Sequence, residues 1–270
     1  MPRITEIRLY PIKSCAGISV DSARLEPRGF AWDRRLMLVD EHGRFLTQRE
    51  HPEMALIRVR RSARGWAVDA EGKKTLELPE QLVTGADQPV SIWKDRLALG
   101  VAEPRVNEWF TDTLRLSCQL VQMSEQHVRP IKSGRGRSGD QVSLADGAAV
   151  LLTSEASLAA LNQRLEKPLE MIRFRPNLVV TADAAFAEDR WRRIRAGAAT
   201  FDVGWACTRC VVTTIDPDTG EKDPNGEPIH TLKRFRRGPE GVMFGQNLVP
   251  RHLGKVSVGD TIEILEDSSE

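Results

Sequence analysis

In the first third of the chain, apolar residues come in short runs separated by Gly, Pro and Asp. RLMLVD (35–40) and RFLTQ (44–48) flank Glu41-His42-Gly43, a turn-length gap with a glycine, which predicts a hairpin. ALIRVR (55–60), GWAVD (65–69), VSIW (90–93) and RLALGV (96–101) follow at short intervals. Such spacing predicts a barrel or sandwich rather than a βαβ array. A helical period begins only at about Arg105 to Leu114, after Pro104, with Val106, Trp109 and Phe110 on its buried side.

The second half mixes the two periods. AAVLLT (148–153) reads as a buried strand, followed by a helix with Thr153 or Ser154 as N-cap and Glu155 in its first turn. Leu158, Leu161 and Leu165 form its apolar stripe. NLVVT (177–181), ATFDV (199–203), CVVTTI (210–215) and KVSVGDTIEIL (255–265) predict further strands, and EDSSE (266–270) a frayed tail. Between the halves, RPIKSGRGRSGDQ (129–141) reads as a polar, mobile domain junction. The tetrapeptide PIKS occurs at 11–14 and again at 130–133, but the flanking residues do not match, so it is no internal repeat. The expected fold is mainly β with several helices (α+β), divided into residues 1–125 and 126–270.

Composition narrows the classes. At 270 residues, 40% hydrophobic and 29% charged, the chain can bury a core of ordinary size. A formal charge of +1, from 39 basic and 38 acidic residues, gives no reason to expect nucleic acid or an anionic membrane as partner. No apolar run approaches the roughly 20 residues that span a bilayer. MPRITEIRLYPIKS lacks an apolar signal core, which leads to the expectation of a mature cytoplasmic protein, by default a monomer.

Four cysteines, Cys15, Cys118, Cys207 and Cys210, are too few for a disulfide scaffold at this size. The pair in CTRC allows three readings. A zinc site needs two more ligands, and no second C-x-x-C or H-x-H pair exists. A redox dithiol favours a helix N-terminus, whereas VVTTI favours a strand. Spacing alone leaves two buried apolar cysteines as the default. Soft thiolates also select soft metals, and metal–pterin cofactors carry phosphate that needs Lys, Arg and backbone N–H groups. YPIKS, WDRRLMLVD and RFRPNLVV place Lys13, Arg34, Arg175 and Asn177 at turns and strand entrances, although each alone reads as a solvated surface. DPDTG (216–220) is a turn, and Trp32 and Trp205 read as core. RWRRIR (190–195) and KRFRR (233–237) read as solvated faces, or as a docking surface for an acidic electron-transfer partner.

Taken in order, YPIKSCAG, GFAWDRRLMLVD, LLTSEASLAALNQRL, FRPNLVV, FAEDRW, CTRCVVTTIDPDTG, FGQNLVP and VSVGDTIEIL resemble the MOSC family. The chain is similar to its two-part members, in which an N-terminal β-barrel domain precedes a β-barrel MOSC domain. These include mitochondrial amidoxime-reducing components and bacterial proteins that detoxify N-hydroxylated bases. The resemblance spans about residues 3–265. It implies a molybdenum cofactor (Mo-molybdopterin) with Cys210 as catalytic thiolate ligand of the metal, and Cys207 as a neighbour. It further implies cofactor contacts from Lys13, Ser14, Arg34, Asp146, Arg175, Asn177, Thr208 and Arg209. Next to Asp146, Gly147 and Ala148 depart from the polar residues of the pattern.

The implied activity is reduction of small N-hydroxylated compounds (amidoximes, hydroxylamines, N-hydroxylated bases) in a bacterial cytoplasm. Some relatives continue into a ferredoxin domain. This chain stops soon after VSVGDTIEIL without such a cysteine cluster, so the expected electron donor is a separate ferredoxin, flavoprotein reductase or cytochrome b5-type protein. The alternative is a cofactor carrier or sulfur-transfer module without redox turnover.

Overall fold

The structure, a computed structural model, describes residues 1–82 and 87–268. Short alternating strands dominate, joined by three α-helices and several 3-10 turns among the described residues, so the mainly β expectation is met. The largest sheet has nine strands and is antiparallel except for Val150–Ser154 beside Leu178–Val180. Its path runs Ile262–Asp267, Trp191–Ala196, Ala199–Thr208, Gly241–His252, Val150–Ser154, Leu178–Val180, Ile4–Leu9, Ile18–Val20, with Arg237–Gly238 off the path beside Gly241–His252.

The first strand of the chain thus completes a sheet built from the second half. Ser22–Glu26 likewise pairs with Lys255–Ser257 on one side and with Gly29–Phe30 on the other. Inward residues follow the strand period: Ile4, Ile7 and Leu9 join Leu25, Phe30, Ile194, Phe201, Leu248 and Val256 in one core.

The remaining N-terminal strands form two smaller sheets. One, in the order Leu36–Val39, Gln119–Gln122, Asp95–Val101, Asp87–Ile92, is antiparallel throughout. The other is the meander Arg58–Ser62, Gly65–Asp69, Leu76–Pro79. The helix Pro104–Leu114 packs Val106, Phe110 and Leu114 into their shared core, with Trp109 half-buried at its edge. Pro104 starts it, where a missing N–H costs nothing, and left-handed Arg115 closes it. The hairpin at 35–48 forms as expected: Leu46 N–H donates to the Leu38 carbonyl at 2.8 Å. Gly43 has φ +74°, and a Cβ there would lie 2.4 Å from the Pro89 carbonyl oxygen, so the turn requires glycine.

Two expectations are corrected. CVVTTI is not a strand: Ala199–Thr208 ends before Cys210, and Val211–Thr214 curls into a 3-10 turn. Thr213 donates to the Cys210 carbonyl through both its N–H and its hydroxyl, at 3.1 and 3.0 Å, a local bond that competes with a sheet ladder. In the tail, Glu266 and Asp267 belong to the last strand and pair with Arg193 and Trp191, while Ser269 and Glu270 lie outside the described residues. The polar junction 129–141 is anchored at its ends. Arg129 is buried and donates to Asp95 at 2.7 Å, and Ile131 packs with Val142, Ala145 and Val249. No helix among the described residues is long and apolar enough to cross a membrane.

Candidate functional site

The strand Ala199–Thr208 delivers the C-x-x-C segment. Thr208 pairs with Met243 at its exposed end, and the Arg209 N–H donates to the Val242 carbonyl at 2.7 Å, which brings Cys210 onto the following turn. The Cys210 thiol is partly exposed and lies 3.3 Å from the Arg49 guanidinium. Arg49 also donates to Asp146 at 3.1 Å and stacks on Trp93, 4.6 Å from the ring centre. Asp146 accepts from Trp93 Nε1 at 3.2 Å and pairs tightly with Lys13.

A second group joins residues 10–48 to residues 174–209. Arg34 and Arg175 stack on the buried Tyr10 ring, 4.2 and 4.3 Å from its centre. Arg175 donates to the Cys15 carbonyl at 2.8 Å, and the Ser14 carbonyl accepts from Gln48 at 2.7 Å. Arg209 donates to the Phe174 carbonyl at 2.7 Å and to the Cys207 sulfur at 2.8 Å. The contacts therefore run in a closed circuit: Cys210, Arg49, Asp146, Lys13, Ser14, Cys15, Arg175, Phe174, Arg209 and back along the chain to Cys210.

Asn177 stands apart in kind. It is 2% exposed, its amide nitrogen donates to the Arg8 carbonyl and Asp33, and its oxygen accepts from Arg34 and the Leu151 N–H. All four of its bonds are taken within the protein, so it fixes Arg34 from behind and has no donor left for a ligand. Asp33, also buried, holds the other side of Arg34 at 2.6 Å.

Cations outnumber anions in and beside this circuit, with Lys13, Arg34, Arg49, Arg175 and Arg209 set against Asp33 and Asp146. Burial pulls the Lys13 ammonium pKa down, and Asp146 resists this. Burial would raise the Asp146 pKa, but Lys13 and then Arg49 outweigh it and hold the carboxyl below the usual range. Its side chain is 51% exposed, so solvent screening tempers the attraction. Burial lowers Arg175 to about 10. Two buried polar atoms beside these groups have no partner, the Tyr10 hydroxyl and Arg209 Nε. Of the seven non-glycine residues with positive φ among those described, Ser14, Arg34, Trp93 and Arg175 sit in this site. Such backbone costs about 1–3 kcal/mol each and clusters where side chains are aimed for function.

The structure thus brings together Lys13, Ser14, Arg34, Asp146, Arg175, Arg209 and Cys210, with Asn177 behind them and Thr208 at the rim. Sequence reasoning missed Arg49 and Trp93. The bland readings held elsewhere. Asp216 pairs with Arg173 at 2.8 Å and caps its own turn, Trp32 and Trp205 pack on core clusters, and Arg193 and Arg195 are ion-paired on a strand face. No cluster of three or more His, Cys, Asp or Glu able to hold a bare metal ion occurs among the described residues.

A β-scaffold that presents the partly exposed thiols of Cys207 and Cys210 among arginines and a lysine defines the class: a cation-rich site built around thiols. Comparisons place it further. The MOSC N-terminal beta barrel domain matches residues 1–117 and the MOSC domain residues 139–263. The mouse mitochondrial amidoxime-reducing component 1 is 33% identical, over 97% of this chain and 82% of the relative, and its human counterpart is 30% identical over the same shares. A rice molybdenum cofactor sulfurase is 31% identical over 90% of this chain, which spans only 32% of that protein. The chain belongs to the MOSC family, in its two-part form.

Proposed function

We propose that this circuit binds the molybdenum cofactor and that the protein reduces N-hydroxylated compounds with electrons from a separate redox protein. One observation carries the reading: a partly exposed Cys210 thiol held against Arg49 inside an excess of buried and half-buried cations. The residues fit such a group. Cys210 belongs to no group of three or more metal-type donors among the described residues, which suits a metal that arrives already held by an organic cofactor. The unpartnered Tyr10 hydroxyl and Arg209 Nε are donors in search of an acceptor, and phosphate and pterin oxygens are acceptors.

In this reading Cys210 is the metal's protein ligand. Lys13, Ser14, Arg34, Arg175 and Arg209 hold the anionic cofactor, with Thr208 at the edge. Asn177 acts through Arg34, and Asp146 bridges Lys13 and Arg49. When bound, the cofactor supplies two-electron chemistry at the N–O bond: two electrons and two protons convert N–OH into N–H and water. Arg49 keeps the thiolate sulfur oriented and neutralised, since a guanidinium stays protonated at any working pH. The electron donor is a small redox protein of the ferredoxin, flavoprotein or cytochrome b5 type. All four cysteines are free, which suits a monomer in a reducing, bacterial cytoplasmic setting. The match to the rice sulfurase supports a second reading, a cofactor carrier or sulfur-transfer module.

Metal and pterin analysis of protein from a cofactor-producing host tests this. We expect close to one molybdenum per wild-type chain, and strong loss of metal with Cys210→Ser. Molybdenum-loaded protein that reduces no amidoxime under chemical reductant favours the carrier. Folded wild-type protein free of both metal and pterin removes both readings.

A further inference from the structure

Trp93 is a residue that its own turn does not call for. It is the first of two loop residues, Trp93 and Lys94, between the paired residues Ile92 and Asp95. Its φ is +55°. Two-residue hairpin loops normally place Gly, Asn or Asp at such positions, and a bulky aromatic there is a genuine outlier. The indole is also 50% exposed, so only half of its surface offsets the strain.

What surrounds the ring gives it a direction. Phe45 meets it edge to face, with centroids 4.9 Å apart, and Arg49 covers it at 4.6 Å. Its Nε1 is tied to Asp146 at 3.2 Å. The indole is thus fixed on three sides beside the arginine that touches Cys210, while half of it stays open to solvent. Val211, immediately after Cys210, is 41% exposed and adds a second apolar surface beside the thiol. Asp146 accepts from Lys13, Arg49 and Trp93, and a carboxylate offers about four acceptor directions, so one remains for an N–H donor.

We propose that Trp93 is the substrate-recognising wall of the site, and that it selects N-hydroxylated compounds whose reacting group is carried on a flat aromatic body. A rigid, half-open indole stacks on such a body, while Asp146 takes an N–H of the adjoining amidine-type group. This rests on the reductase reading for the reaction, but not for the binding. The N-terminal half then supplies the stacking wall, and the C-terminal half the thiol and the Asp146 acceptor.

The test compares wild type, Trp93→Gly and Trp93→Phe in the cofactor-loaded protein. Glycine suits the backbone at this position, so the variant is expected to fold, and phenylalanine keeps a ring but loses the indole N–H. Binding of benzamidine, a product-like probe that cannot be reduced, is measured by calorimetry. The selectivity for benzamidoxime over acetamidoxime, as the ratio of kcat/KM values, is measured with chemical reductant. We expect benzamidine affinity and this selectivity to fall about tenfold in Trp93→Gly, equivalent to roughly 1.4 kcal/mol, and to recover largely in Trp93→Phe. A role confined to holding Asp146 lowers both amidoximes together, leaves the ratio in place and is not rescued by Phe. Benzamidine affinity within twofold of wild type in Trp93→Gly overturns the proposal. If no variant reduces either amidoxime, the reductase reading falls while the benzamidine titration still decides the role of Trp93.

Discussion

Cys15 and Cys210 carry the same thiol into opposite surroundings. Cys210 meets solvent and a guanidinium, whereas Cys15 is fully buried, and burial pushes its pKa up to about 12, with Arg175 opposing. A thiol whose folded pKa lies above its unfolded value of 9.0 favours the native state below pH 9. That contribution is lost as pH rises from about 9 towards 12, because only the unfolded chain releases the proton. Under reducing conditions, wild type should therefore lose up to about 1.4 kcal/mol of stability per pH unit over that window, relative to Cys15→Ala. Urea midpoints at pH 8 and pH 11 check this, and equal pH dependence in both proteins would refute it.

At this scale the site was legible only where a motif carried it. PIKS occurs twice, yet Lys13 is buried against Asp146 and Lys132 is exposed; the surroundings, not the tetrapeptide, decide. Arg49 and Trp93 gave no local signal, since their partners Cys210 and Asp146 lie 161 and 53 residues away.

Elements were read well where one period and one cap agreed. The helix Pro104–Leu114 has its proline, its stripe and its end. The segment after Cys210 misled because β-branched residues favour a strand, yet Thr213 and Thr214 hydroxyls can also bond carbonyls three residues back, and here they do. Ser154 shows what a cap can carry beyond its helix. Its hydroxyl accepts from the Ser157 N–H at 3.2 Å and donates to Glu188 at 2.9 Å. Glu188 is fully buried, and burial raises its pKa against the pull of Ser157 and Ser154. Removing that hydroxyl costs a cap and leaves a buried carboxyl short of a donor. Ser154→Ala should therefore destabilise by roughly 2–3 kcal/mol, more than a cap alone. A loss below about 0.5 kcal/mol in urea unfolding would mean that the helix and Glu188 do not depend on it.

Across the whole molecule, the chain closes on itself. Ile4, Ile7, Leu9, Leu25 and Phe30 fill a core whose other walls are Ile194, Phe201, Leu248 and Val256. Each such side chain is worth about 1.5–3 kcal/mol when buried, so the five contribute roughly 8–15 kcal/mol as an upper figure. This gross term is as large as the net stability of a typical domain, about 5–15 kcal/mol, so its loss exceeds the usual margin. The sheet says the same: without Ile4–Leu9, the strand Leu178–Val180 loses its antiparallel partner and becomes an exposed edge. A cut at residue 125, where the sequence divides most naturally, should therefore leave 126–270 without a cooperative urea transition or fixed near-ultraviolet dichroism. Co-expression with 1–125 should restore both. The candidate site crosses the same line, with Lys13, Arg34 and Arg49 on one side and Asp146, Arg175 and Cys210 on the other. Cofactor retention should then return only with the pair. Should 126–270 fold cooperatively alone, the N-terminal strands would be an addition to a finished core rather than part of it, and the site would have been assembled by docking two folded units.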